Sequence, residues 1–282
     1  MSENNKIHWF PGHMTKALRE MEKEIKNVDI IFYCLDSRAP ISSLNPKLSQ
    51  LAKDKKIIYI LTKSDLVEKA DLDKFIKKLS TKDTYALPLD ATKTGSTKVL
   101  SKLSKEIMAD KIKSKKSLGI NYSIKAMVLG VPNVGKSTLI NNFCGKAKTE
   151  TGNKPGVTRG KQWVVTDFDI TLLDTPGTLW PSFESERTSQ NLAYIGSIKE
   201  EVYDTTELAF CFIKDLRLKY KKNFEDRYGI KIMDSDEPLE VFDKICEARH
   251  YLLKNAELDY DRCGKVILND FRHGSLGKII LD

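Results

Sequence analysis

Six apolar, β-branched runs mark the first two thirds of the chain, at 29–35, 57–61, 84–89, 124–129, 162–166 and 170–173, and each stops at a polar or Gly-containing loop. Short apolar runs of this kind predict strands buried on both faces. Helix-like stretches at 44–53, 71–79, 97–109 and 137–143 separate several of them. That alternation predicts an α/β fold, a mostly parallel six-stranded sheet with helices on both faces. Residues 110–121 (DKIKSKKSLGIN) interrupt the pattern with Lys, Ser and Gly and read as an exposed connector. Beyond Ile195 the period changes. Leu208, Phe212, Leu216 and Tyr220 recur every four residues after Asp204, a capping residue, and 239–253 behaves similarly after Pro238. We expect two units, one spanning 1–184 and an all-α domain spanning 195–282.

Composition narrows this picture. With 40% hydrophobic and 30% charged residues in 282, the chain is globular, and no stretch approaches the roughly 18 apolar residues of a membrane span. The first residues carry neither a basic head with an apolar run nor a small-residue cleavage site, so the expectation is a cytoplasmic protein with no membrane partner, monomeric when free. Cys34, Cys144, Cys211, Cys246 and Cys263 are scattered, which suits a reducing compartment and offers no zinc spacing. The net charge of +8 suggests a polyanionic partner. Residues 1–200 hold 33 Lys and Arg against 22 Asp and Glu, whereas 201–282 hold 14 against 17.

The strongest chemical signal is GVPNVGKS at 130–137, a phosphate loop between a predicted strand and a predicted helix. Its glycines let backbone N–H groups curl toward phosphates around Asn133, Val134 and Gly135, Lys136 neutralises their charge, and Ser137, followed by Thr138, can hold Mg²⁺. Asp174 opens the sequence DTPG after another predicted strand, placing a carboxylate for Mg²⁺ and the amide of Gly177 for a γ-phosphate. In the polar loop between them Thr158 is our choice as the threonine that reaches Mg²⁺, with Thr149 and Thr151 as alternatives. Thr62, Lys63, Ser64 and Asp65 follow the 57–61 strand. Asp65 can accept two hydrogen bonds from the guanine N1 and N2 edge, which adenine lacks, while the Lys63 stem covers the ring. After the next strand come Leu89, Asp90, Ala91 and Thr92, where the Ala91 amide can meet guanine O6. Together these point to GTP and GDP.

The base-reading elements at 62–65 and 89–92 precede the phosphate loop, a rotated order. In this the chain resembles the bacterial circularly permuted GTPases of ribosome assembly, the ribosome biogenesis GTPase A (YlqF) family. Three further stretches carry the resemblance: Trp9 to Met14 (WFPGHM), Asp36 to Pro40 (DSRAP) and Gly156 to Arg159 (GVTR). It implies a circularly permuted P-loop GTPase domain with a C-terminal helical domain that hydrolyses GTP during maturation of the large (50S) ribosomal subunit, contacting its rRNA and proteins. Where Thr62 stands the family usually has Asn, so the resemblance also implies weaker guanine binding. Its counterpart of Asn133 is associated with K⁺ at the phosphates.

Thr178, Leu179 and Trp180 follow Gly177, so the glutamine that orients water in many GTPases is absent from its usual place. His13 is our candidate to position that water, alongside a packing role for the N-terminal aromatics. Because the chain runs from Gly177 into the helical tail, loss of the γ-phosphate is expected to reorient that tail. Lys214, Arg217 and Lys221 share a helical face there and are candidates for phosphate contact, with Arg249, Arg262 and Arg272 beside them. The competing readings are a GTP switch acting on a protein or membrane partner and an ATP-using P-loop enzyme.

Overall fold

The computed structural model describes residues 12–93, 95–145, 162–183 and 185–282. In chain order its elements are α1 (Gly12–Glu24), β1 (Ile30–Asp36), α2 (Pro46–Ala52), β2 (Lys56–Thr62), α3 (Lys69–Leu79), β3 (Thr84–Leu89), α4 (Thr97–Ile107), α5 (Ala109–Ser117), β4 (Ile124–Leu129), α6 (Lys136–Phe143), β5 (Gln162–Val165), β6 (Ile170–Asp174), α7 (Glu186–Tyr194), α8 (Thr205–Leu216), α9 (Lys221–Tyr228), α10 (Pro238–Ala248) and α11 (Tyr260–His273). The strands form one six-stranded sheet in the order β3-β2-β1-β4-β6-β5. All neighbours are parallel except β5 against β6.

Every residue of β1 is buried, as its unbroken apolar run requires of a central strand covered on both sides. The two-residue period divides it. Ile30, Phe32 and Cys34 face a core shared with Leu100 of α4 and Leu139, Ile140 and Phe143 of α6, and that core continues through Leu179, Trp180 and Leu192 into Phe212, Phe242 and Phe271 of the tail. Ile31, Tyr33 and Leu35 face a second core with Ala17 and Met21 of α1, Leu48 of α2 and Leu72 of α3.

Some expected elements change. The stretch expected as a connector from 110 is helical in its first part, as α5. Ala, Lys and Ser tolerate helix, and Ile112 half-buries against the core. The helix expected from residue 44 begins at Pro46 because the Asn45 side chain accepts from the Lys47 N–H, a cap followed by proline. The four-residue period holds through Leu216 in α8, with Tyr220 in the turn before α9, and the helix expected through 253 ends at Ala248, with Leu252 instead bridging Leu258.

One buried ionic cluster ties sheet to tail. The Asp36 carboxylate, at the end of β1, takes two hydrogen bonds from Arg38, from Nε at 2.9 Å and Nη2 at 2.8 Å. Arg38 Nη1 reaches onward to the carbonyls of Phe271 and Arg272, at 3.0 and 3.1 Å, in the last turn of α11. The Phe271 carbonyl otherwise accepts only the 3.2 Å capping bond from the Gly274 N–H, and both carbonyls lie at the negative end of the helix dipole, so a guanidinium suits them. The Phe271 ring lies 4.7 Å below the guanidinium carbon. Around the same loop, the Leu281 N–H donates to the Arg38 carbonyl at 2.8 Å, and the Asp282 side chain accepts from the backbone amides of Ile41 and Ser42.

Burial alone would raise the Asp36 pKa, but Arg38 and Lys63 outweigh it and hold the carboxyl below its usual range. A depressed carboxylate stabilises the fold above its unfolded pKa, and that contribution is lost as pH falls below about 4 toward the folded value. We predict that Asp36→Asn, which leaves Arg38 buried without its counter-charge, lowers stability by about 3–5 kcal/mol at pH 7. The urea midpoint should drop accordingly, with the gap between variant and parent narrowing in strong acid.

Candidate nucleotide site

The nucleotide loops lie at the carboxyl ends of the parallel strands, where loops rather than paired backbone present free N–H groups. The phosphate loop leaves β4 at Gly130, whose φ of 151° and closeness to the Cys34 carbonyl, 2.6 Å from where a Cβ would stand, admit no side chain. Asn133 and Gly135 are also left-handed, with φ of 60° and 97°, and Gly135 leads directly into α6. The N–H groups at the start of α6 therefore face the loop's hollow, the arrangement that binds phosphate. Lys136 is buried, its ammonium donating to the Gly130 and Val131 carbonyls at 3.2 and 2.9 Å. Burial lowers its pKa, opposed by Cys34 and Asp174. Ser137 and Thr138 follow in the first turn of α6, half-buried.

Gly177 closes over this loop. A Cβ there would lie 2.6 Å from Pro132 Cα and 2.9 Å from Lys136 Nζ, so only glycine lets the backbone come this near the lysine. The loop is held by buried contacts: Thr175 Oγ1 donates to the Val128 carbonyl at 2.6 Å, Asn45 Nδ2 to the Thr178 carbonyl at 2.9 Å, and the Leu179 N–H to Met14 Sδ at 3.5 Å. Asp174 is 1% exposed, and its Oδ1 is buried with no hydrogen-bond partner. Burial pushes its carboxyl up to about 6, against the pull of Lys136. An orphaned, dehydrated carboxylate oxygen beside a phosphate loop fits a hard divalent cation such as Mg²⁺.

In the base loop, Thr62 is fully buried, and its hydroxyl lies within hydrogen-bonding reach of two carbonyls, Leu35 at 2.9 Å and Val134 at 2.5 Å. With one proton it serves one of them at a time. Threonine here thus still ties the base loop to the phosphate loop. Lys63 is left-handed at φ 54° and sends its ammonium to Asp36 Oδ2 at 2.8 Å and to the Asn133 carbonyl at 2.9 Å. Burial lowers its pKa while Asp36 opposes the shift. Ser64 and Asp65 start a short 3₁₀ turn in which Asp65 is exposed. In the second base loop Asp90 Oδ1 accepts from the Thr92 N–H at 3.0 Å, folding the turn that presents Ala91.

Lys63, Asn133, Lys136, Asp174 and Gly177 are therefore brought around one loop. Thr149, Thr151 and Thr158 lie outside the described residues, as does the His13 side chain, although α1 carries its backbone. The Asn133 amide nitrogen donates to the Gly196 carbonyl at 2.7 Å, and Ser197 Oγ to the Pro132 carbonyl at 2.7 Å, so the phosphate loop also touches the start of the tail. A cavity of about 540 Å³ lies there, between Lys63 and Asn133 on one side and Gly196, Glu200, Asn269 and Arg272 on the other. Sequence reading missed Asn142, which donates to the carbonyls of Ala91 at 2.9 Å and Lys93 at 2.7 Å and so ties the second base loop to α6. It missed Asn45 and Met14 likewise. A lone amide in or before a helix carries no local mark of its distant partner.

Two outcomes follow. Thr62→Val keeps shape but removes the one hydroxyl donor shared by the Leu35 and Val134 carbonyls, and should cost about 1–3 kcal/mol with weaker nucleotide binding, read by urea denaturation and nucleotide titration. Because the folded pKa of Asp174 lies above the unfolded one, the nucleotide-free protein should gain stability as pH falls from 7 through 6 toward 4. In Asp174→Asn that gain should shrink, measured as melting temperature against pH for both proteins.

The family model described as a 50S ribosome-binding GTPase matches residues 125–241. Ribosome biogenesis GTPase A of Priestia megaterium is 34% identical over 98% of this chain and 96% of its own length, and that of Bacillus licheniformis 35% over 97% and 96%. Among solved structures, the crystal structure of GNP-bound YlqF from T. maritima superposes with a TM-score of 0.64 at 22% identity, covering 95% of this chain and 97% of that one. With the rotated motif order folded into a single six-stranded sheet, and with this identity along nearly its whole length, the chain belongs to the ribosome biogenesis GTPase A family of circularly permuted GTPases.

Proposed function

We propose that this protein binds GTP with Mg²⁺, hydrolyses it to GDP and phosphate, and acts on the large ribosomal subunit during its assembly, with nucleotide state setting its affinity for the subunit. The observation that carries the chemistry is the meeting of the Lys136 ammonium, the Gly177 backbone and the unpartnered Asp174 oxygen at one loop. The family supports the ribosomal assignment.

In this reading the N–H groups of 133–138 and Lys136 cradle the phosphates, and Lys136 neutralises charge that builds on the γ-phosphoryl group. Asp65 accepts from the guanine edge, Ala91 donates to O6, and Lys63 covers the ring. Asp174, Ser137 and Thr158 would hold Mg²⁺, which would supply charge neutralisation at the phosphates. Leu179 is apolar and buried Trp180 has only an indole N–H donor, so neither can accept a proton from the attacking water. His13 takes that role, supported by its neighbour Met14 lying on the Leu179 amide. For K⁺, Oδ1 is the Asn133 side-chain atom whose lone pairs suit a cation, the amide nitrogen donating to the Gly196 carbonyl.

Switching has a route. Asn133 and Pro132 touch the tail at Gly196 and Ser197, and Lys63 shares Asp36 with Arg38, which holds α11. Movement of either nucleotide loop is thereby transmitted to the tail across the cavity between them.

Displacement of labelled GTP should succeed with GTP and GDP and fail with ATP. Asp65→Ala should weaken GTP binding by about a hundredfold, the worth of hydrogen bonds to a charged group. Sedimentation with large subunits should be stronger with a non-hydrolysable GTP analogue than with GDP, and equal sedimentation in both states refutes the switch.

A further inference from the structure

Since all strands but β5 are parallel, the segments that enter them gather at the end of the sheet opposite the nucleotide loops. These segments are 23–29 into β1, 53–56 into β2, 77–83 into β3, 109–125 into β4 and 166–169 into β6. Together they hold 13 Lys and 7 Asp and Glu, a balance of +6 in a chain whose total is +8. The basic character of this protein is therefore largely a property of one end.

Three of the seven acids at this end are engaged in local pairs. Asp29 pairs with Lys111, Asp83 with Lys56 at 2.5 Å, and Asp169 with Lys105 at 3.0 Å. Lys113 and Lys116 of α5 are exposed and Lys115 half-exposed, and among the described residues none of the three forms an ion pair; exposed Lys26, Lys53 and Lys82 form none either. The helix that carries the first three buries no residue, and Leu118 and Ile120 just after it are 68% and 46% exposed. A helix so weakly packed, with four lysines in nine residues, presents charge without contributing much core.

The tail contrasts with this. Arg217 bonds the carbonyls of Asp236 and Lys214, Lys221 pairs with Asp234, Arg249 reaches the Arg227 carbonyl, Arg262 lies over the Tyr251 ring, and Arg272 is held by Ala193, Tyr194, Tyr203 and Glu200. The cations expected there to contact phosphate are mostly engaged in the tail's own fold.

We infer that the lysine-rich end built on α5, opposite the nucleotide, is the surface that docks on RNA phosphates of the large subunit. This rests on the ribosomal reading above. Phosphodiesters match it by charge and by tolerance of mobile lysines, because backbone contacts need no fixed geometry. The nucleotide loops and the tail then remain clear of this contact and free to move while the protein is held.

The test compares the parent with Lys113→Glu/Lys115→Glu/Lys116→Glu and with a variant of equal net charge, Lys214→Glu/Lys222→Glu/Lys231→Glu, whose sites are exposed in the tail. Binding is measured to purified bacterial large subunits, to a transcript of large-subunit rRNA and to phosphatidylserine vesicles between 50 and 200 mM KCl, with GTP hydrolysis as a check on folding. We expect the α5 variant to lose at least about tenfold in affinity for subunits and rRNA and to flatten the log–log salt dependence by roughly 2 to 3, with hydrolysis unchanged. The tail variant should lose much less. Equal losses in both variants, or none in the α5 variant while the parent binds subunits, overturn the surface. Binding of the parent to vesicles but not rRNA overturns RNA as the occupant. Binding to rRNA through α5 without binding to subunits overturns the ribosomal reading and leaves the RNA surface standing.

Discussion

A buried carboxylate shared by two cations organises this molecule. Asp36 ends the central strand fully enclosed, and its charge is tolerable only because Arg38 and Lys63 both bind it. Each cation then has a second duty. Lys63 holds the phosphate loop at the Asn133 carbonyl and belongs to the base loop, while Arg38 holds the last turn of α11. Base loop, phosphate loop and tail therefore meet through one pair of carboxylate oxygens. Buried ion pairs are costly to form and more costly to break, so such a cluster favours one relative placement of the three parts over near alternatives.

Permuted connectivity makes this cluster necessary. The chain enters the sheet through the base-reading half and leaves it through the phosphate-reading half, so covalent continuity ties the tail to Gly177 rather than to the base loops. Side chains restore the missing link. Asn142 bridges α6 to the second base loop, Thr62 bridges the first to Val134, and Arg38 with Asp282 clamps the tail onto the loop after β1. A tail fastened at both the phosphate side and the base side is placed to respond to either.

The same parallel sheet separates two kinds of surface. Loops leaving the strands supply backbone N–H groups and specific carboxylates, and they converge where the nucleotide chemistry is concentrated. Segments entering the strands carry most of the net positive charge, and among the described residues the lysines of α5 make no ion pair beyond Lys111 with Asp29. Charge summed over a chain does not reveal such polarity, because it depends on which loops share an end.

The sequence alone determined the sheet's apolar runs, the phosphate loop, the DTPG turn and the rotated order of motifs. Each rests on local chemistry: β-branched runs must be buried, and a glycine-containing loop between a strand and a helix turns its backbone N–H groups toward phosphate. Tertiary structure decided the rest. Arg38 meets Phe271 across 233 residues and Asn133 meets Gly196 across 63, and nothing in either neighbourhood of sequence encodes the partner. Thr62 reads in sequence as a weakened asparagine, yet between two buried carbonyls its hydroxyl still joins base loop to phosphate loop. Residues 110–121 carried linker composition, and only the fold showed that their first part is a helix at the basic end of the sheet. Local patterns specify which backbone conformations are affordable, whereas pairings between distant polar groups become visible only when packing has removed the water that would otherwise satisfy them.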